Sequence, residues 1–192
     1  MPKKDKDAEY LQNLLNSTME MWGAMVGSIV AEVVEKYGDE GRKIVKKASY
    51  EVGKWQAEKI AKGITLTQKG ARALAKYGYP TEGAVVGDNA VFRLEHARLN
   101  DKRFDLKVNF CPYVDTWRKL GILKRVPDLC DLLTEGDNGV SVVFAPNLRM
   151  TLTKAMSKGD AYCIYSWKEK KPGKKSVAAS APEDCPKSAR FQ

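Results

Sequence analysis

The chain has 192 residues, of which 43% are hydrophobic, and 33 Lys and Arg against 24 Asp and Glu give it a formal net charge of +9. This length and composition predict one domain with an apolar core. Much of the positive charge lies in residues 168–192, with seven Lys or Arg against three Asp or Glu. No recognition-helix, zinc-finger or aromatic-plus-basic signature accompanies it, which argues against a nucleic-acid partner.

An apolar run at residues 21–31 is the one segment that could suggest export or a membrane. It is too short to span a bilayer. Acids as well as lysines precede it, and Glu32 and Glu35 follow it, unlike a secretory signal. We therefore expect a cytoplasmic protein, with no membrane partner and with reduced thiols.

The first eighty residues have the apolar spacing of helices. A helix is predicted over residues 8–37, with apolar side chains every three or four positions. These are Leu11, Leu15, Trp22, Met25, Ile29 and Val33. A second is predicted over residues 40–62, with Ile44, Ala48, Val52 and Trp55 on one face, and a third over residues 67–77. We expect these faces to pack within the monomer, and the alternative is a homo-oligomer formed through the first helix.

After Pro80 the apolar period becomes that of strands. Residues 91–99 and 103–110 flank the turn pair Asn100 and Asp101, which predicts an antiparallel hairpin. The second of these strands alternates cleanly, and the alternation predicts that Cys111 points away from its apolar face. A second hairpin is predicted from residues 148–155 and 161–167, joined by a turn at Gly159.

Two short helices are predicted between the hairpins, over residues 113–120 and 128–133. The first is expected to turn Trp117 and Leu120 inward, and the acids of the TEGDNG segment that follows the second are expected in a turn. Helices followed by two hairpins predict an α+β domain, in which N-terminal helices pack on an antiparallel sheet built from the hairpins with short intervening helices.

This single domain is predicted to cover residues 1–167, with a helical part at 1–80 and a sheet and cysteine part at 81–167. Residues 168–192 are basic and lack periodicity, so a disordered tail containing Cys185 is predicted there.

Three cysteines, Cys111, Cys130 and Cys163, stand at the edges of predicted elements rather than inside apolar runs. Cys111 precedes a predicted helix whose N-terminus would lower its thiol pKa. A purely structural role as small buried side chains stays open for each of them. With His96 they could also supply four zinc ligands, but no CxxC pair is present. We expect no cofactor, with zinc or another metal as the alternative.

Charged residues near these cysteines could complete a reactive site. Asp131 adjoins Cys130 and Asp137 follows it, and an acid beside thiols would serve as a general base for water. Arg149 and Lys154 lie on the next predicted strand and could bind a substrate carboxylate. Each of these side chains could instead have a purely structural role, the acids as turn residues and the cations as surface residues.

Residues 110–167 resemble the family of 2-amino-thiazoline-4-carboxylic acid hydrolases. The shared pattern is a Cys that ends a strand, Cys111, a second Cys in a short helix with an acid close behind, Cys130, and a closing stretch TLTKAMSKGDAYCIYSW that contains Cys163.

The resemblance implies hydrolytic opening of a cyclic amidine, in which water adds to the ring carbon between nitrogen and sulfur and the sulfur departs. It implies that Asp137 or Asp131 activates water and that the cysteines hold the amidine. Arg149 or Lys154 would bind the substrate carboxylate, and His96 is also expected to contact the substrate. The same plan resembles the vinyl-reductase-like domains, which bind small molecules without necessarily transforming them. A non-catalytic small-molecule or metal-binding domain, or an interaction module, is therefore the alternative.

Overall fold

The computed structural model describes residues 3–81 and 91–169, with side chains from residue 9 onward. Its elements, in chain order, are α1 (Lys3–Gly63), α2 (Gly70–Ala73), a π-helical turn (Leu74–Gly78), β1 (Leu94–Asn100), β2 (Arg103–Val108), α3 (Pro112–Lys119), α4 (Ile122–Arg125), α5 (Leu129–Leu133), α6 (Glu135–Phe144), β3 (Leu148–Lys154), a 3-10 turn (Met156–Lys158) and β4 (Cys163–Glu169). The predicted α+β class is confirmed. Residues 170–192, with Cys185, lie outside the described residues, so the predicted tail stays a prediction. In the described part of the chain, no helix is both long and apolar enough to cross a membrane.

The long helix α1 is broken at Gly38, where φ is 56° and ψ is −128°. This conformation disfavours residues with a Cβ, so glycine suits the position. The break divides α1 into a first arm, residues 3–37, and a second arm, residues 39–63, close to the two helices predicted. The two arms are in close contact next to the break. A Cβ added at Gly41 would lie 2.5 Å from the backbone oxygen of Val33.

The faces of α1 that pack inward are not the predicted stripes. Small residues dominate the inward faces, where a Cβ at Gly27 would overlap the Trp117 ring of α3 and one at Gly53 would overlap the backbone of Gly136 in α6. Most of the predicted stripe residues are instead about half exposed. They are Leu11, Trp22, Met25, Ile29, Ile44, Val52 and Trp55. The expectation that these faces pack within the monomer was therefore wrong, because the small residues let α1 approach its neighbours more closely than large ones would.

The sheet has four antiparallel strands in the order β1-β2-β4-β3, so both predicted hairpins form and join through β2 and β4. In the β2–β4 register Phe104 is opposite Trp167, Leu106 opposite Tyr165 and Val108 opposite Cys163. Residues opposite each other point to the same face, so Cys163 and Tyr165 share the inner, helix-covered face with the apolar row of β2.

Three expectations for the segment between the hairpins are corrected. The strand β2 ends at Val108, and Cys111 becomes the residue preceding α3; it lines the same cavity as Val108 rather than pointing away, because the strand alternation stops before it. Trp117 is buried as expected, but Leu120 is 54% exposed. The TEGDNG segment begins the helix α6 rather than forming a turn.

Candidate functional site

A cavity of about 410 Å³ lies between the first arm of α1, the short helices and the inner face of the sheet. Its size falls within the range of small-molecule pockets. Much of its wall is aromatic. The aromatic side chains are Trp22, Tyr79, Phe92, Tyr113, Trp117 and Tyr165. The wall is therefore suited to a flat, largely apolar ligand.

All three candidate cysteines line this cavity. Cys111 reaches it from the start of α3, Cys130 from α5 and Cys163 from the first position of β4. Each is a free thiol, and the backbone N–H of Met156 donates a hydrogen bond to Sγ of Cys163 at 3.3 Å. The fold thus brings to one cavity wall three side chains that are distant in sequence, while their chemical role stays a prediction.

Burial favours the protonated form of all three thiols. Burial raises the pKa of Cys111 to about 11 and that of Cys130 to about 12, and it also raises the pKa of Cys163. The backbone N–H groups of Val114 and Tyr113 lower the pKa of Cys111, but burial has the larger effect. The helix N-terminus therefore does not produce the activated thiolate suggested by the sequence.

Asp137, in the first turn of α6, is the one acidic residue in the cavity wall among the residues that the structure describes. It accepts a hydrogen bond from the Tyr79 hydroxyl. Burial raises the pKa of Asp137 to about 6, and this hydrogen bond opposes the rise only in part. A carboxyl group with such a pKa is present in both protonation states near neutral pH and can accept or return a proton there.

The other candidate residues lie outside the cavity wall. Asp131 forms an ion pair with Lys158 at 2.7 Å, and Arg149 forms one with Glu135 at 3.4 Å. Lys154 donates a hydrogen bond to the Tyr162 hydroxyl at 3.0 Å. His96 lies with Nε2 2.8 Å from the backbone oxygen of Tyr79. The positions of these four residues lend no support to their predicted roles.

The part of the chain that the structure describes contains no set of side chains arranged to bind a metal ion. No group of three His, Cys, Asp or Glu side chains there could hold a metal ion. The three thiols share a cavity without forming a coordination site, and His96 lies apart from them.

Sequence reasoning missed the aromatic wall and one cation. Tyr79 follows the π-helical turn and Trp22 sits in an apolar stripe, so neither carries a signal that separates it from core residues. Alternation along β4 could have placed Tyr165 on the same face as Cys163. Arg118, which donates a hydrogen bond to the backbone oxygen of Met156, lies near enough to Cys111 and Cys163 for its charge to lower both thiol pKa values.

Residues 18–167 match the family model of L-2-amino-thiazoline-4-carboxylic acid hydrolase. The chain belongs to this family. The match to the hydrolase family confirms the resemblance seen in residues 110–167 and extends it back to residue 18, over most of α1 and over α2, β1 and β2. No curated protein sequence matches the chain.

Proposed function

We propose that this member of the hydrolase family opens a small cyclic amidine of the 2-amino-thiazoline-4-carboxylate type. One observation carries the proposal: Asp137, with its pKa near neutrality, faces an aromatic cavity that also contains three neutral thiols. A planar amidine ring fits between aromatic side chains. A carboxylate in such a place can bind an amidinium or activate a water molecule.

In the proposed reaction, Asp137 acts as the general base. Its carboxylate accepts a proton as the oxygen of water bonds to the ring carbon between nitrogen and sulfur. The electrons of the C=N bond move to the ring nitrogen, which takes this proton from Asp137. The remaining hydroxyl proton passes to Asp137 as the C=O bond forms and the ring carbon–sulfur bond breaks, and Asp137 gives that proton to the departing sulfur. The thiols of Cys111, Cys130 and Cys163 remain protonated throughout and donate hydrogen bonds to ring heteroatoms.

In the described part of the chain, the cavity wall offers no charged partner for the substrate carboxylate. No Lys or Arg lines the cavity within the described residues, and Arg149 and Lys154 are paired elsewhere. We therefore expect removal of the carboxylate from the ring to lower kcat/KM less than tenfold, whereas a carboxylate clamp would make the loss much larger.

The first test compares turnover of 2-amino-thiazoline-4-carboxylate and of 2-amino-thiazoline by wild type and Asp137→Asn. A general base contributes about 10²–10⁴-fold, so Asp137→Asn should lose at least about 100-fold in kcat/KM. Wild-type kcat/KM should fall as pH drops below about 6, where Asp137 becomes protonated. Asp131→Asn, a neighbouring acid outside the cavity, is the matched control and should stay within about threefold of wild type, because surface pairs contribute little.

Two outcomes of the same assays would count against the proposal. Full activity of Asp137→Asn would remove the general base, and full activity of all three single Cys→Ser variants would remove the thiols from the mechanism. Loss of activity in Asp131→Asn but not in Asp137→Asn would indicate that the reaction takes place at the protein surface, near Asp131.

A non-catalytic small-molecule-binding domain is the second candidate. The raised thiol pKa values favour it, because no activated nucleophile lines the cavity wall in the described part of the chain. Calorimetry with the same two compounds tests this function. Saturable binding that is lost when the cavity is changed, without formation of product, would support it over the hydrolase.

A further inference from the structure

The first arm of α1 exposes a row of large apolar side chains, which we call the outer stripe. Its members are Leu11, Leu14, Met21, Trp22, Met25 and Ile29, each between 45% and 64% exposed; Trp22, at the edge of the row, also lines the cavity. Leu11, Leu14, Met21 and Met25 follow the a and d spacing of a coiled-coil seam, with Thr18 at the intervening a position. The arm buries its small residues against the domain, so this seam has no partner among the described residues.

The outer stripe also differs in charge from an ordinary solvated helix face. Residues 10–31 contain no Lys or Arg, and their single acid, Glu20, does not fall at a stripe position. The second arm provides a comparison within the same helix. It exposes Ile44, Val52 and Trp55, but Lys59 and Lys62 recur at the same helical spacing, so that face is mixed. Contiguous apolar surface without charge marks an interaction site.

We propose that the outer stripe is the interface of a homodimer, in which the first arms of two copies pair across a twofold axis. A twofold interface uses the same patch on both copies, and a second outer stripe supplies a seam of identical spacing and no like charges. Half-exposed side chains of this size offer roughly 100 Å² each, which gives on the order of 600 Å² of apolar surface per copy. A standard stable interface buries about 800 Å² per partner, polar rim included.

Other occupants fit the outer stripe less well. Residues 82–90 and 170–192, which the structure does not describe, contain only four large apolar side chains, too few to cover six. Those four are Val85, Val86, Val177 and Phe191. A lipid surface would require Lys or Arg beside the stripe, and residues 10–31 have none.

The proposal predicts the mass of the full chain in solution. Sedimentation equilibrium should give twice the chain mass of 21.4 kDa, with dissociation on dilution. Ile29→Lys should raise the dimer dissociation constant at least about tenfold, because it places a positive charge in the outer stripe of each copy, beside the apolar seam. Leu99→Lys is the matched control, since Leu99 is an exposed apolar residue on β1, and it should leave the constant unchanged. Neither Ile29 nor Leu99 lines the cavity.

Tryptophan fluorescence gives a second, independent measurement. Trp22 and Trp55 are about half exposed, whereas Trp117 and Trp167 are buried. In a Trp55→Phe background, Trp22 should become less accessible to acrylamide as protein concentration rises, and Ile29→Lys should abolish that change.

Three results would overturn the proposal. The first is a monomer at every concentration at which the chain stays soluble. The second is a dimer whose dissociation constant is the same for wild type and Ile29→Lys. The third is a monomer that instead sediments with phosphatidylserine vesicles through the outer stripe. Because Ile29 is exposed in the monomer, circular dichroism at low concentration should show the variant folded, and a folded variant makes each result interpretable.

Discussion

At the scale of single residues, ionised Asp137 lowers the stability of the fold near neutral pH, where its carboxylate would act as the general base. Its pKa is about 6 in the folded chain, against roughly 3.9 in an unfolded one. The folded state therefore binds this proton more tightly than the unfolded state does. The stabilisation is fully present below about pH 4 and is lost as pH rises through about 6.

Replacing Asp137 with Asn should remove this pH dependence while keeping an acceptor for the Tyr79 hydroxyl. We expect Asp137→Asn to be more stable than wild type above about pH 7, by on the order of 3 kcal/mol, and to match it near pH 4. Urea unfolding at the two pH values measures the difference. Asp131→Asn should show less than about 1 kcal/mol at either pH. A stability difference for Asp137→Asn that does not vary with pH would contradict the assigned pKa.

The candidate residues could be predicted from sequence only in part. Cys111, Cys130 and Cys163 were found because they stand at the edges of predicted elements, where packing explains a residue less readily, and Asp137 because it is an acid that closely follows Cys130 in the sequence. Their approach to one cavity could not be inferred, because it depends on where β2 ends and on how α5 and α6 sit against α1. Arg149 lies outside the cavity because it alternates on β3 with the buried Leu148 and Met150, which places it on the exposed side, where it pairs with Glu135.

At the scale of elements, glycines form the contact between the second arm of α1 and α6. A Cβ at Gly53 would overlap the backbone oxygen of Gly136, and one at Gly139 would overlap that of Tyr50. These two helices therefore approach backbone to backbone, in the manner of small-residue packing. Because Asp137 lies between Gly136 and Gly139, this contact also holds the proposed general base in place.

Gly53→Ala tests this contact between α1 and α6, and Gly63→Ala is its control. Alanine is the better helix former by up to about 1 kcal/mol, but at Gly53 its methyl group has no room, so we expect a net loss of about 2 kcal/mol or more in the free energy of unfolding. At Gly63 nothing lies within 4 Å of the added Cβ, and the variant should be neutral. Denaturant unfolding measures both, and equal effects at the two positions would show that the helices can separate without loss.

The same glycines explain two errors of sequence interpretation. In the segment TEGDNG, glycine beside Asp and Asn predicts a turn, yet here the glycines serve helix packing. In α1 the large apolar residues predict the inward face, whereas Gly, Ala and Val occupy it. Apolar periodicity identified the helices correctly, but it could not identify which face is buried when small residues compete with large ones.

At the scale of the whole molecule, the class and the strand pairing were the most predictable features. Period-two alternation in β2 and turn residues at Gly159 specify antiparallel hairpins locally, so helices over a sheet follow with few alternatives. The cavity between the layers was not predictable, because it is the space left where the first arm of α1, with Trp22, meets the sheet.

The break at Gly38 separates two parts of α1 with different tasks. Trp22 and Gly23, before the break, form part of the cavity wall, and Gly53, after it, supports the helix that bears Asp137. We therefore expect a substitution near residue 38 that changes the angle between the two arms to change the distance from this wall to Asp137, although residue 38 itself lies outside the cavity wall. On this expectation, two relatives with the same cavity residues but different residues near position 38 would differ in the size of ring that they accept.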